Sequence, residues 1–156
     1  MVKDNKKREK GCVMSGCSKE FVENVFDEYR FKIKGLQLIK SELNRLYNQV
    51  NKSAIKNDFA IGTKKDMCDR YNDKIEKKKR LENTSLTYEN YISTVNDVLE
   101  LLNSEYPMEC MVLKLKHVEC RTITQIEEKT FFSRGKCFKM LKKAEEEFER
   151  LMDLVS

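Results

Sequence analysis

The segment from Thr122 to Ala144, TITQIEEKTFFSRGKCFKMLKKA, constrains the fold of this chain more than any other stretch. Its apolar residues predict two helices joined by a tight turn, the arrangement called a helix-turn-helix. The first helix is expected over about Thr122 to Lys129. Its inner face and the corner after it are apolar, and they comprise Ile123, Ile126, Phe131 and Phe132.

The second helix is expected to begin at Ser133, because a serine side chain accepts hydrogen bonds from the free backbone N–H groups of a first helical turn. Apolar residues then recur at spacings of three and four, which is the pattern of an amphipathic helix. These inward residues are Cys137, Met140, Leu141, Ala144, Phe148 and Leu151.

The charges of this second helix are ordered against its own dipole. Five cations and no acid lie between Ser133 and Ala144, and four glutamates follow from Glu145 to Glu149. This order costs stability, by roughly 0.3–1 kcal/mol per charge, because the N-terminal end of a helix is its positive end. A bound polyanion removes the conflict, since its phosphates meet the cations and the free amides. The alternative is a solvated face on an ordinary packing helix, and the preceding short helix and turn favour nucleic acid.

The rest of the chain predicts an all-α fold built on long helices. Of its 156 residues, 37% are charged and 9% are aromatic, with five glycines and one proline, which favours amphipathic helices over sheets. Apolar residues follow a heptad from about Ser18 to Ala54, and Asn57 to Thr63 supplies turn residues. A second long helix is expected from about Lys64 to Tyr106. The two helices predict a hairpin whose seam is closed by the chain itself or by a second copy.

The weak point of the second long helix is the segment KKKRLENTSLT, where Asn83 to Thr87 can interrupt the helix. The cations around its start form a basic cluster of Lys74, Lys77, Lys78, Lys79 and Arg80. We interpret this cluster as a solvated helix face, with contact to a DNA backbone as the alternative.

The segment from Pro107 to Val118 predicts a third element, since proline suits the first turn of a helix. Its inward residues are expected to be Met111, Val112, Leu115 and Val118. His117 is the single histidine, and no acid or second histidine is placed in the sequence to form a catalytic pair with it. We interpret it as a partly buried packing residue or a phosphate contact.

The cysteines are expected to be thiols in a chain of long helices. Cys68, Cys110 and Cys137 lie on or beside apolar stripes and are expected to be small core residues. A zinc site built from Cys12, Cys17, His117 and Cys120 is disfavoured, because neither the spacing nor the order of these residues fits a zinc finger. The sequence thus predicts no metal and no other cofactor.

Three segments follow from these patterns: a flexible basic arm at 1–17, a helical hairpin or coiled-coil region at 18–105, and a helix-turn-helix domain at 106–156. The arm carries five cations and two acids in its first ten positions and shows no periodicity. No apolar run approaches the roughly 20 residues that span a bilayer. We therefore expect a cytoplasmic protein that does not bind membranes.

Residues 107–144 resemble the C-terminal helix-turn-helix domain of sigma factors, which reads the −35 promoter element. The matching features are Pro107 opening a helix, the apolar core from Val112 to Lys116, the Thr122 cap, Ile126, Ser133 and Arg134 opening the second helix, and the inward series Cys137, Met140 and Ala144. With its helical N-terminal half and its length, the chain is similar to phage transcription regulators of the ArpU and RinA type, which control late genes for packaging and lysis.

The resemblance implies a sequence-specific DNA-binding regulator without catalytic activity, whose second helix docks in the major groove. The residues expected to contact DNA are Thr122, Ser133, Arg134, Gly135, Lys136, Phe138, Lys139, Lys142 and Lys143. Among them, Arg134, Lys136 and Lys139 are the best candidates for the major groove, and Phe138 is placed to meet a thymine methyl. The expected partners are double-stranded DNA, RNA polymerase and a second copy bound through the N-terminal helices, at the nucleoid of a bacterial host cell.

The chain departs from the sigma-like pattern at three positions. Glu127 stands where the first helix usually has a small residue. Phe131 stands where the turn often has glycine, so we expect a turn of different shape, because a bulky residue with positive φ is unfavourable. Gly135 replaces a side chain that often reaches a base edge, and it lets the backbone approach a phosphate closely.

Two other functions remain open from the sequence. One is a phage small terminase subunit, which also joins a helix-turn-helix to long helices but assembles into rings. The other is a structural coiled-coil adaptor whose basic helix contacts an acidic protein. The number of copies distinguishes the first from a regulator, and the salt dependence of DNA binding distinguishes the second.

Overall fold

The computed structural model describes the backbone of residues 5–56 and 64–156, and the side chains of residues 18–52 and 66–156. The regular elements in these ranges are all helical, which confirms the predicted all-α class. They are α1 (Asn5–Lys56), α2 (Lys64–Glu105), α3 (Pro107–Leu113), a π-helical turn (Lys114–Val118), α4 (Ile123–Thr130) and α5 (Arg134–Val155). None of these helices has both the length and the apolarity that crossing a bilayer requires.

The two long helices differ in detail from their predicted bounds. α1 begins at Asn5, within the segment 1–17 that the sequence predicts as a flexible arm. The side chains before Ser18 lie outside the described residues, so the flexibility of this arm stays a prediction. The turn expected at Asn57 to Thr63 also lies outside the described residues and stays a prediction.

The predicted weak point of α2 does not interrupt this helix, which is continuous from Lys64 to Glu105. The Thr84 hydroxyl donates to the Arg80 carbonyl at 2.9 Å, and the Thr87 hydroxyl donates to the Asn83 carbonyl at 3.0 Å. Both hydroxyls are thus satisfied within the helix instead of competing with its backbone hydrogen bonds.

The chain divides into two compact units. One consists of Met1–Arg30 and Ser93–Ser156, and the other consists of Phe31–Ile92. α1 and α2 each supply residues to both units. The unit that holds α4 and α5 therefore includes the first part of α1 and the end of α2, which the sequence analysis assigned to the region 18–105.

The core of the α4–α5 unit is built around two phenylalanines whose rings are in contact. The rings of Phe26 in α1 and Phe148 in α5 are both fully buried, with centroids 4.9 Å apart. Each buried phenylalanine contributes roughly 1.5–3 kcal/mol to the free energy of unfolding. The predicted inward face of α5 is confirmed for most of its members, since Cys137, Leu141, Ala144, Phe148 and Leu151 are buried. Met140 is half-buried.

The π-helical turn after α3 changes which residues of this segment face the core. Glu119 N–H donates to the Lys114 carbonyl at 3.0 Å, one residue further back than in an α-helix. The extra residue rotates the following side chains by about 100°. The predicted burial of Val112 and Leu115 is confirmed, but Met111 is exposed and Val118 only half-buried, so their inward placement was wrong. His117 takes the inward position that was predicted for Val118.

Two of the cysteine predictions are confirmed, and one is wrong. Cys110 and Cys137 are buried free thiols of the α4–α5 unit, and burial raises the pKa of the Cys110 thiol. Cys68 is exposed, because it lies on a part of α2 where no described apolar side chain is buried.

In the second unit, α1 and α2 run antiparallel. The rings of Phe31 and Tyr88 lie 6.5 Å apart, and further along α1 the Lys77 ammonium lies 2.7 Å from the Glu42 carboxylate. A Cβ atom at Gly35 would lie 2.8 Å from the Tyr88 ring, so this close approach requires glycine. Lys77, by its hydrogen bond, lowers the pKa of Glu42.

The second unit buries little of its own apolar surface. Leu46 is the one buried apolar residue among its described side chains, and Ser85 is also buried. Three large apolar side chains are mostly exposed: Phe31 (65%), Leu38 (73%) and Leu86 (58%). Two helices with so small a core depend on further packing for their stability.

Candidate nucleic-acid interface

Thr122 caps the N-terminus of α4, as the sequence predicts. Its hydroxyl accepts a hydrogen bond from Gln125 N–H at 3.3 Å, and the Gln125 side chain accepts one from Thr122 N–H at 3.1 Å. This reciprocal pair is a capping box, which satisfies two backbone donors and sets where the helix starts. Ile126 is fully buried on the inner face of α4, while Ile123 is half-buried.

The connection between α4 and α5 consists of Phe131, Phe132 and Ser133. Phe131 adopts the left-handed conformation (φ 60°, ψ 20°), and its N–H donates to the Glu127 carbonyl at 2.9 Å. The expected change in turn shape was therefore wrong, because phenylalanine takes the conformation usual for glycine. Phe131 also does not fill the corner, since 92% of its surface is exposed, whereas Phe132 is half-buried.

Ser133 caps α5, and the predicted start of this helix is confirmed. The Ser133 hydroxyl accepts a hydrogen bond from Lys136 N–H at 3.3 Å, and its carbonyl accepts one from Cys137 N–H at 2.9 Å. α5 has no acid in its first turn and no base in its last turn. The unfavourable order of charges read from the sequence is thus present in one continuous helix.

The residues predicted to contact DNA are all exposed in the structure, namely Thr122, Ser133, Arg134, Gly135, Lys136, Phe138, Lys139, Lys142 and Lys143. In the part of the chain that the structure describes, Arg134, Lys136, Lys139 and Lys142 form no ion pair. The Arg134 guanidinium lies 5.8 Å from the Phe138 ring, and the Lys136 ammonium lies 4.1 Å from the Phe132 ring. These contacts orient the side chains without neutralising their charges.

Other cations of the same unit are paired with acids. Lys143 lies 3.8 Å from Glu109 and 4.3 Å from the Tyr106 ring, so its charge is partly compensated. Arg121 and Lys129 both contact Glu119, at 2.6 and 3.5 Å. The hydrogen bond from Arg121 lowers the pKa of the Glu119 carboxyl. Arg134, Lys136, Lys139 and Lys142 differ in this respect from Lys143, Arg121 and Lys129.

Gly135 has no packing reason to be glycine. No atom lies within 4 Å of the position that a Cβ would occupy, and its backbone conformation is not left-handed. A side chain at this position would project into open space at the start of α5. The glycine therefore leaves the backbone of the first turn accessible from outside.

Two further cations, Lys19 and Lys116, lie beside this surface and were not predicted from the sequence. A groove of about 380 Å³ is lined by three apolar residues, three lysines and two glutamates: Ile123, Phe138, Leu141, Lys19, Lys116, Lys142, Glu23 and Glu145. Lys142 comes from α5, Lys19 from α1 and Lys116 from the π-helical turn. These three lysines are far apart in the sequence, and no local pattern predicts that they share a groove.

His117 has an acidic partner that the sequence analysis did not anticipate. Its Nε2 lies 2.9 Å from Glu145 Oε1, and both side chains are buried, with exposed fractions of 6% and 9%. The ring stacks on Phe26 at 5.3 Å, and Arg30 donates to the His117 carbonyl. His117 is thus a packing residue, and the pair joins α5 to the π-helical turn below the exposed cations.

Within the described residues, no three His, Cys, Asp or Glu side chains are grouped to hold a metal ion. The side chains of Cys12 and Cys17 lie outside the described residues. Comparisons with protein-family models, with curated proteins and with solved structures found no match to this chain.

Proposed function

We propose that this protein is a DNA-binding transcription regulator. In this proposal α4, the connecting turn and α5 form a sigma-like helix-turn-helix, and α5 docks in the major groove of duplex DNA. The observation that carries the proposal is the set of four exposed cations on the first half of α5, which lack ion pairs among the described residues: Arg134, Lys136, Lys139 and Lys142.

The dimensions of α5 support this placement. From Arg134 to Lys143 the helix rises about 14 Å at roughly 1.5 Å per residue. The major groove of B-DNA is about 12 Å wide and admits an α-helix. This width matches the diameter of an α-helix with its side chains, about 10–12 Å, so the groove can hold the basic half of α5. Its acidic half, with Glu146 and Glu149, continues beyond the phosphates.

Electrostatics supports the same orientation. The cations and the free amides of the first turn place positive charge at one end of α5, where a phosphate gains from both. Within the unit, Glu145 turns inward to His117, so the first acid after the basic half does not face outward. Within α5 no acid lies between Arg134 and Lys143.

The proposed partners beyond DNA are a second copy of the chain and RNA polymerase. The exposed apolar side chains Phe31, Leu38 and Leu86 in the N-terminal helices support pairing of two copies. Contact with RNA polymerase and control of phage late genes rest on the sigma-like and ArpU/RinA-like resemblance. The proposal includes no catalytic activity and places the protein at the nucleoid of a bacterial host.

A salt titration of duplex DNA binding tests the proposal. The logarithm of the association constant should fall linearly with the logarithm of salt concentration, with a slope of about −0.9 per phosphate contacted. Lys139→Ala and Lys142→Ala should each reduce the slope by about one contact. Arg150→Ala is the matched control, because Arg150 lies on the same helix but is paired with Glu147 at 2.9 Å. Absence of binding at low salt, or a flat salt dependence, would contradict the proposal.

A further inference from the structure

Phe131 combines two unfavourable features at one residue. Its backbone is left-handed, with φ 60°, a conformation that phenylalanine rarely adopts because its Cβ crowds the backbone. Its side chain is 92% exposed, the largest exposure of any large apolar residue in the described part of the chain. Glycine or asparagine would suit this position after a helix better on both counts.

The helix cap accommodates the backbone of Phe131, since its N–H donates to the Glu127 carbonyl at 2.9 Å, but its ring lacks the contacts that the neighbouring phenylalanines have. Phe132, the next residue, is half-buried and has the Lys136 ammonium 4.1 Å from its ring. Phe138 is 48% exposed and has the Arg134 guanidinium 5.8 Å from its ring. For Phe131, by contrast, the structure shows no aromatic or cation–π contact among the described residues. An exposed aromatic ring on a residue with an unfavourable backbone conformation points to a role in binding.

The position of Phe131 limits the ligand that it can meet. It lies two residues before the Ser133 cap and three before Arg134, at the end of α5 that carries the unpaired cations. A phenyl ring donates no hydrogen bond, and its negative face repels anions, so a phosphate is not its partner. In the major groove the apolar group is the C5-methyl of thymine.

We propose that Phe131 contacts a thymine methyl at the edge of the major groove and so contributes to sequence specificity. This inference rests on the proposed docking of α5 in DNA. In this inference the left-handed backbone of Phe131 keeps its ring exposed beside the start of α5, where the ring can contact DNA. The contact is distinct from the one expected for Phe138, which lies more than one helical turn further along the chain.

The test compares Phe131→Gly with Phe131→Leu on a duplex selected by the wild-type protein from a random pool. Phe131→Gly should weaken binding by about fourfold, the equivalent of one methylene-sized group left unburied. It should also raise the melting temperature by roughly 2–4 °C, because glycine accepts the left-handed conformation. Phe131→Leu keeps an apolar side chain and should retain most of the affinity.

Replacing thymines by uracil, one at a time, identifies the methyl group. Uracil lacks only the C5-methyl group of thymine. At one position, replacing thymine by uracil should therefore weaken binding of the wild-type protein but leave binding of Phe131→Gly unchanged. At a thymine whose methyl group meets Phe138, the same replacement should weaken binding of Phe131→Gly as much as binding of the wild type. Equal affinity of Phe131→Gly and wild type, or a loss coupled to no thymine, would overturn the inference.

The two proposals fail in different ways. If the wild-type protein does not bind duplex DNA at low salt, the proposed function itself is wrong. If the wild type binds with the expected salt dependence but Phe131→Gly binds equally well, only the role of Phe131 is wrong. The melting temperature of Phe131→Gly confirms in either case that the variant is folded.

Discussion

Replacing Glu145 by leucine should destabilise the unit that holds α4 and α5. Glu145 accepts a hydrogen bond from His117 Nε2 at 2.9 Å, and both side chains are more than nine-tenths buried. Among the described residues no buried side-chain nitrogen or oxygen lacks a partner. Leucine fills a similar volume but accepts no hydrogen bond, so it leaves the imidazole N–H unpaired in the core.

The magnitude follows from the loss of one partner of a buried polar pair. Leaving a buried donor unsatisfied costs about 1–3 kcal/mol. For a chain of this size, 1 kcal/mol corresponds to roughly 2–4 °C in melting temperature. A central value of about 2 kcal/mol therefore predicts a melting temperature lower by roughly 4–8 °C. Glu145→Gln keeps an oxygen that can accept from Nε2 and should cost about half as much or less.

Thermal unfolding followed by circular dichroism measures these changes. Glu146→Leu is the matched control, because Glu146 is the exposed neighbour on the same helix and should change stability by less than about 0.5 kcal/mol. Adding His117→Phe to Glu145→Leu should restore much of the loss, since it removes the unpaired N–H and keeps a ring on Phe26. Wild-type stability in Glu145→Leu, or strictly additive losses in the double variant, would refute the reasoning.

Two further predictions concern the first turn of α5 and the N-terminal helices. Gly135→Ala should stabilise the protein by about 0.5–1 kcal/mol, because its methyl group meets no atom within 4 Å, yet it should weaken DNA binding. Unchanged affinity in a DNA titration would show that the backbone does not approach a phosphate there. Light scattering should find two copies of the wild type and one copy of a variant with Phe31→Ser and Leu38→Ser, whose side chains are 65% and 73% exposed. A wild-type assembly of eight or more copies would instead favour the terminase-like alternative.

Local sequence patterns were sufficient for the caps of α4 and α5 and for most of the inward face of α5. The Thr122 and Ser133 caps and the inward face of α5 were predicted correctly. Each of these features depends on residues within about four positions along the chain, where hydrogen bonds and side-chain spacing are set by helix geometry itself. The same patterns located the basic half of α5, since charge order is a property of the sequence alone.

Local sequence patterns do not predict the features that depend on residues distant in the sequence. His117 and Glu145 are 28 positions apart, and the π-helical turn that brings them together has no signature in the sequence. The same turn moves Val118 from the core, whereas Met111 precedes the turn and is exposed on α3. Lys19 of α1 and Lys116 of the π-helical turn line the groove beside α5 only in the folded unit, because they are distant in the sequence.

The composition and periodicity of the chain determined an all-helical fold, where its C-terminal helices begin, and where its positive charge lies. The tertiary structure decided the conformation of Phe131, the burial of the His117–Glu145 pair and which cations remain unpaired. The physical reason is one of scale. A left-handed residue or a π turn costs only a few kcal/mol, and the summed burial of many core side chains outweighs that local preference.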